Sequence, residues 1–285
     1  MEVKISKEYK DRLFRLVFRE KKDLLDLYNA VNDTHYNNAD ELHIVTLENM
    51  LYLKMKNDIS FLIGDILNLY EHQSTVNPNM PVRGFLYFAE TYQKYLKKYG
   101  YRIYGSKLIP LPLPQYIVFY NGTEKQPDRS YLKMSDAFLS APFPISPCLE
   151  CKALVLNINK GSNKELMQKC RKLKEYSIFI AKVREMLMSD LPFNEAVDTA
   201  IRECIRTNIL KDILIKHRAE VINMLFTEYD EQEHMACVKE EGWEEGQNRV
   251  NQLIRLLIRE SRSGEIEKAV MDPVYQDQLF QEFNL

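Results

Sequence analysis

The chain has 285 residues, 45% hydrophobic and 28% charged, which is enough apolar surface for a core and enough charge for a soluble surface. Its net charge of −2 argues against a strongly basic nucleic-acid carrier but leaves room for a local basic groove. No apolar run approaches the roughly 18 residues that span a membrane, and the N-terminus lacks a signal-peptide core, so we expect a cytoplasmic protein.

The first part of the chain alternates between helical and strand patterns. Apolar residues recur at helical spacing from Lys7 to Val31, and a second helix is predicted from Val82 to about Tyr99. Strands are predicted at 43–47, 116–120 and 153–158, where β-branched and aromatic residues are frequent. Strands interleaved with helices predict an α/β or α+β domain with a largely buried sheet, and we take α/β as the fold class.

The rest of the chain has helical patterns only. Residues 159–230 are predicted to be helical with one break at Asp190-Leu191-Pro192, and residues 231–285 read as a charged helical tail. We therefore predict an α/β core over 1–158, a helical extension over 159–230 and a tail over 231–285.

The stretch from Asn57 to Gln73 carries the most informative pattern. Two β-rich runs flank Gly64-Asp65, which predicts a hairpin that brings Asp58 near Glu71. Because strand side chains alternate, Glu71 and Gln73 share one face. Two carboxylates and an amide oxygen are hard ligands that suit Mg²⁺ or Mn²⁺. Such a metal offsets charge on a phosphodiester and activates water; the alternative is that Asp58 and Glu71 are solvated charges at strand ends.

Several neighbours of this stretch have two interpretations each. Asp65 is a rival carboxylate, but its place beside Gly64 favours a turn. Strand alternation sends His72 to the opposite face, which favours packing over catalysis. Arg83 either binds a phosphate as a bidentate donor or only solvates the helix start. Tyr87, one turn further on, reaches the same place, although most aromatic residues of that helix are expected in the core.

Other chemistries have little support in the sequence. Cys148 and Cys151 form one CxxC, but no second pair with matching spacing completes a zinc site. The phosphate-binding loop, HExxH and GxSxG patterns are absent from the sequence, which removes the main competing enzyme classes.

Several segments, in order along the chain, resemble one protein family, that of the recombination-promoting nucleases (Rpn), also labelled YhgA-like transposases. The opening segment Tyr9–Phe18 is similar to the first helix of that family, and the Glu-Glu-Gly repeat near Gly242 resembles its C-terminal tail. The segments closest to the candidate site are Lys56–Phe61, Leu69–Ser74, Asn77–Arg83 and Tyr120–Gly122.

The resemblance implies a restriction-endonuclease-like core of the PD-(D/E)xK superfamily and a metal-dependent DNA endonuclease, with a role in recombination or DNA mobility. It carries over Asp58 and Glu71 as metal ligands and Gln73 as the third active-site residue, with Asp11 as a candidate additional acid. Gln73 stands where most of the superfamily has Lys. The implied cofactor is Mg²⁺, with Mn²⁺ as an alternative, and no organic cofactor or membrane is expected.

Three functional expectations follow from this interpretation. The partner is DNA, and a homodimer would supply the two sites that a double-strand cut usually needs. Replacing Asp58 or Glu71 with Ala is expected to abolish cleavage and leave the fold intact. The alternatives are a catalytically weak or inactive nuclease fold that binds DNA or a protein partner, and an RNA-directed or toxin-like nuclease with the same site.

Overall fold

The structure is a computed structural model that describes residues 8–44, 59–139 and 145–283, with only the backbone described at 8–9 and 226–246. The chain divides into two compact units, Met1–Glu228 and Tyr229–Leu285. Among the described residues, no helix is both long enough and apolar enough to cross a membrane.

The first unit has a mixed α/β architecture built on one sheet. Its strands are β1 (His43–Ile44), β2 (Ile59–Ile63), β3 (Ile66–Gln73), β4 (Leu113–Tyr120), β5 (Arg129–Lys133) and β6 (Lys152–Asn157). The helices of the chain are α1 (Glu8–Val17), α2 (Lys21–Asn32), α3 (Met80–Lys98), α4 (Lys164–Lys169), α5 (Arg171–Leu187), α6 (Phe193–Arg206), α7 (Lys211–Lys216), α8 (Arg218–Arg259), α9 (Ile266–Met271) and α10 (Pro273–Glu282).

The sheet has six strands in the order β1-β2-β3-β4-β6-β5. The central strands are parallel: β3 pairs with β4, and β4 pairs with β6, in the parallel orientation. Both edges are antiparallel: β1 pairs with β2, β2 with β3, and β5 with β6. Helix α3 makes the crossover from β3 to β4, as a connection between parallel strands requires.

Helices cover both faces of this sheet, which explains why the central strands are apolar on both sides. On one face, side chains such as Tyr70 and Phe119 enter a core shared with α1, α2 and α5. On the other face, Leu69, Tyr116 and Val118 pack against α3. The predicted buried α/β sheet is therefore confirmed.

The structure differs from the sequence prediction in two places. The single apolar pattern over Lys7–Val31 forms two helices, because the chain turns at Arg19-Glu20 and lets both pack on one core. Strand β5 was missed, since its only apolar side chains are a half-buried Leu132 and an exposed Tyr131. The helices predicted after residue 159 pack on the core of the sheet, with Tyr176 and Phe179 fully buried.

The second unit has its own small core. Leu253 and Leu257 of α8 pack with Leu279 and Phe280 of α10. Asp272 caps α10 by accepting hydrogen bonds from the backbone N–H groups of Val274 and Tyr275, and Pro273 occupies the first helical position. The unit begins at Tyr229, close to the tail predicted from residue 231.

Candidate active site

The predicted hairpin is present and sets the position of Glu71. Gly64 has a φ of +54°, which a residue without a Cβ adopts readily, and the turn Gly64-Asp65 joins β2 to β3. The antiparallel register pairs Ile63 with Ile66 and ends with Ile59 opposite Tyr70. Asp65 lies in the turn, as predicted. Asp58, the other predicted carboxylate, lies outside the described residues.

Glu71 is a buried acid on the α3 face of the sheet. It lies on β3 opposite Val118 of β4, and its side chain is 1% exposed. Gln73, two residues further along the strand, is half-buried and faces the same side. The structure thus brings these two predicted residues to one face, at the carboxyl end of a parallel strand, where ligands of open α/β sheets commonly bind.

The charge of Glu71 is matched by Arg83 on the first turns of α3. Arg83 Nη2 lies 3.3 Å from Glu71 Oε2, and the side chain of Arg83 is 30% exposed while that of Glu71 is almost fully buried. The same Nη2 donates to the Tyr87 hydroxyl at 3.4 Å. Burial alone would lower the pKa of Arg83, but the Glu71 charge and the Tyr87 hydroxyl raise it above its ordinary value. Of the two predicted DNA-binding residues, Arg83 therefore lies beside Glu71 and Tyr87 accepts a hydrogen bond from Arg83.

Tyr116 completes this cluster and was not singled out from the sequence. Burial raises the pKa of its hydroxyl well above the ordinary value, and the neighbouring Glu71 charge adds to the rise. The ring lies directly under α3: a Cβ at Gly84 would come within 2.3 Å of it. Gly84 therefore permits the close approach of α3 to β4. Strand alternation from Val118 is the signal that would have placed Tyr116 on this face.

His72 faces the opposite side of the sheet, as predicted. Its side chain is fully buried; Nδ1 lies 2.7 Å from Asp11 Oδ1 and Nε2 lies 3.0 Å from the Tyr176 hydroxyl. The ring of Phe14 packs against the imidazole at 5.4 Å. Asp11, the candidate additional acid, is therefore engaged with His72 on α1's side of β3, and the structure does not bring it to Glu71.

The segment Tyr120-Asn121-Gly122 holds the carboxyl end of β4 in place. Arg184 Nη2 of α5 donates to Asn121 Oδ1 at 2.8 Å, and Lys10 Nζ of α1 donates to the Asn121 carbonyl at 3.4 Å. A Cβ at Gly122 would lie 2.5 Å from the carbonyl oxygen of Ser74, so the strand ends approach too closely for another residue. These contacts support a structural role for the segment.

The donor set can be compared with what a divalent metal requires. Glu71 and Gln73 offer a carboxylate and an amide oxygen on one face, which suits Mg²⁺. Across the described ranges, no three His, Cys, Asp or Glu side chains are grouped to hold a metal ion. Both carboxylate oxygens of Glu71 are shielded from solvent and the carboxylate is paired with Arg83, and the third predicted ligand, Asp58, is not among the described residues.

Comparison of the chain with family models, with curated proteins and with solved structures gives no match. Family membership is therefore not shown, and function must be argued from the residues around Glu71.

Proposed function

We propose that the chain is a metal-dependent nuclease that hydrolyses phosphodiester bonds of DNA, with its active site at Glu71. The observation that carries the proposal is the burial of this acid beside Arg83 at the carboxyl end of β3, two residues from Gln73 on the same face. Acids are almost never fully buried unless paired, and a buried charge cluster at a strand end is typical of functional sites.

Each side chain has a distinct proposed role. Glu71 and Gln73, together with Asp58, would hold Mg²⁺ or Mn²⁺. The bound metal would supply positive charge at the phosphoryl oxygens and an activated water. Gln73 carries no charge, so it cannot replace a cationic stabiliser; its carbonyl oxygen can orient a ligand. Arg83 supplies the positive charge that Gln73 lacks and offers a planar pair of donors for a phosphate.

The proposed site requires Arg83 to move. Both carboxylate oxygens of Glu71 are shielded from solvent, and Arg83 already neutralises the carboxylate. A metal ion must therefore compete with the guanidinium for Glu71. The guanidinium released in this way would be free to bind the phosphate of the substrate.

The test is nicking of supercoiled plasmid at low salt, with Mg²⁺, Mn²⁺ or EDTA. Glu71→Ala would remove the partner charge of Arg83 and also leave a cavity, so it is expected to disturb the fold. Glu71→Gln removes the same charge but fills the same space, so it avoids the cavity. We expect the wild type to cut only with metal and Glu71→Gln to lose cutting, with far-ultraviolet circular dichroism confirming that the variant is folded.

The matched control is Glu175→Gln on α5. Glu175 is also a buried, paired acid: its Oε1 lies 2.5 Å from Arg171 Nε and its Oε2 accepts from the Leu210 N–H at 2.8 Å. It lies on the other face of the sheet, so its loss should leave cutting unchanged. Equal cutting by wild type and Glu71→Gln, or no metal-dependent cutting by the wild type, would reject the proposal.

One observation favours a second candidate, a nuclease-like fold that binds DNA or a partner without cutting. The Glu71–Arg83 pair neutralises the charge of the buried carboxylate without any metal. Metal binding separates the two candidates. A nuclease predicts that Mn²⁺ raises the thermal unfolding midpoint of the wild type and not that of Glu71→Gln, whereas the binding protein predicts no shift in either.

A further inference from the structure

The C-terminal end of α3 carries three tyrosine rings in mutual contact. The ring centroids of Tyr95 and Tyr99 are 4.7 Å apart, and those of Tyr95 and Tyr101 are 6.0 Å apart with planes inclined by 24°. Gly100 adopts a φ of +67° and ends the helix, with the Tyr101 N–H bonded to the Leu96 carbonyl, which turns Tyr101 back toward Tyr95. These rings lie among exposed cations. We call Tyr95, Tyr99, Tyr101, Lys97, Lys98 and Arg102 the basic aromatic surface.

This surface carries an excess of positive charge. Burial and the neighbouring tyrosines raise the pKa of Tyr95, and Asp65 adds to the rise, so one acid of the β2–β3 turn also lies near the surface. The sequence contains no Asp or Glu from residue 91 to residue 123, and the same stretch contains the basic residues Lys94, Lys97, Lys98, Arg102 and Lys107. Lys94 pairs with Glu90 at 2.9 Å, while the other four cations have no ion-pair partner among the residues that the structure describes. In a chain of net charge −2, such a patch attracts polyanions locally.

One of the three rings is well exposed to solvent. Tyr99 is 54% exposed, whereas Tyr95 and Tyr101 are half-buried. Lys98 Nζ lies over the Tyr99 ring, 5.5 Å from its centroid, so a cation already rests against this aromatic face. A base that stacks there takes the place of Lys98, which is then free to contact the adjoining phosphate.

We propose that the basic aromatic surface binds single-stranded nucleic acid, with a base stacked on Tyr99 and phosphates held by Lys97, Lys98 and Arg102. Every base has a π-face, so rings beside cations bind single strands without reading their sequence. A charge patch alone would attract any polyanion, but an exposed ring adds a preference for unstacked bases.

This surface is distinct from the Glu71 site. Arg83 and Tyr99 lie on or just after the same helix, 16 residues apart, which corresponds to about 24 Å along its axis. A single strand bound to the basic aromatic surface would give the proposed nuclease a second contact with its substrate. This role in substrate binding rests on the proposed function. Binding itself can be measured without cleavage.

The test compares two labelled oligomers of equal length by fluorescence anisotropy, in EDTA and at low salt. One is oligothymidylate and the other has the same phosphates but abasic sugars. We expect the full-length wild type to bind the thymidylate at least about fivefold more tightly, the least that one base stacked on an aromatic ring contributes. Equal binding of both oligomers would overturn the proposal, since it would indicate attraction by charge alone.

Variants then separate the rings from the charges. Tyr99→Leu should lower affinity for the thymidylate to that for the abasic oligomer and leave the latter unchanged. Replacing Lys97, Lys98 and Arg102 with Gln should weaken both, and should reduce the salt slope of the binding constant by about 0.7 for each phosphate that the variant no longer neutralises. An unchanged base preference in Tyr99→Leu would contradict the proposal.

The matched control lies on the edge strand β5, where Tyr131 and Lys133 are also exposed. Tyr131→Leu combined with Lys133→Gln should leave both affinities as in the wild type, and an equal loss in this control would also contradict the proposal.

The two proposals can be rejected independently of each other. Binding without metal-dependent cutting would reject only the Glu71 assignment. Cutting without a base preference in binding would reject only the basic aromatic surface.

Discussion

Arg83 and Glu71 form an ion pair across the interface between α3 and the sheet, with Nη2 and Oε2 3.3 Å apart and the carboxylate 1% exposed. Removing one partner from a buried pair leaves a charge in a medium that solvates it poorly, which commonly costs more than the pair contributes. The pair therefore couples the stability of the α3–sheet contact to the candidate site.

We predict that Glu71→Gln and Arg83→Gln each lower the free energy of unfolding by about 3 kcal/mol, because each leaves the other charge unmatched. The double variant should lose clearly less than the sum of the two. Urea unfolding of all four proteins, followed by circular dichroism, gives the coupling free energy. Losses that add to within about 0.5 kcal/mol would mean that the two groups do not interact in solution.

A second prediction concerns Asp11, which the resemblance offered as an additional acid. Asp11 is 26% exposed and lies 2.7 Å from His72 Nδ1, on the face of β3 opposite Glu71. Asp11→Asn should therefore lower the free energy of unfolding by about 1–3 kcal/mol, as expected for the loss of a charged hydrogen bond. Plasmid nicking and the Mn²⁺-induced shift of the unfolding midpoint should match the wild type. A loss of metal response with an unchanged fold would place Asp11 in the active site after all.

The side of the sheet that each residue faces was predictable from the sequence, whereas its partners were not. Strand alternation and the Gly64-Asp65 turn are local signals, and they correctly placed Glu71 and Gln73 on one face and His72 on the other. The partners of Glu71 and His72 come from α3, α1 and α5, so they depend on how helices dock on the sheet. Nothing in the spacing of Asp11 or Tyr176 indicates that both meet His72.

The same distinction explains the errors in the fold. The apolar pattern of Lys7–Val31 continues through the break between α1 and α2, because both helices bury the same side against one core. Strand β5 has too few apolar residues for its alternating pattern to predict a strand. Its pairing with β6 joins residues far apart in the chain, so no local pattern indicates it. The way in which the helices after residue 159 pack on the sheet likewise depends on tertiary contacts, which no local pattern indicates.

A third prediction concerns acid stability of the second unit. A hydrogen bond from Arg262 and, to a smaller extent, one from Tyr275 hold the pKa of Glu265 at about 2, below its ordinary value of 4.5. A folded-state pKa below the unfolded one means that the ionised form stabilises the fold above pH 4.5, and that this contribution is lost as the pH falls toward 2.

Glu265→Gln lacks this contribution at every pH. The thermal unfolding midpoint of the full chain should therefore be higher for the wild type than for Glu265→Gln at pH 7 and pH 5 by a similar amount, and the difference should shrink between pH 4.5 and 2. A difference that stayed constant down to the lower pH would show that the carboxylate does not stabilise this unit through its charge.

A fourth prediction concerns the close approach that builds the candidate site. A Cβ at Gly84 would lie 2.3 Å from the nearest atom of the Tyr116 ring, which is itself buried between α3 and β4. The ring must shift or α3 must move outward, and overpacking of this kind costs about 1–3 kcal/mol. The gain in helix propensity from Gly to Ala, about 1 kcal/mol, offsets only part of that cost.

Gly84→Ala should therefore be destabilised in urea unfolding and should also disturb the Glu71–Arg83 pair, since both lie at the same contact between α3 and the sheet. Gly84→Ala combined with Tyr116→Leu tests the cause, because the smaller side chain removes the clash. We expect the second change to cost less in the Gly84→Ala background than in the wild type, where it leaves a cavity. Equal costs in the two backgrounds would show that Gly84 is not required by the Tyr116 ring.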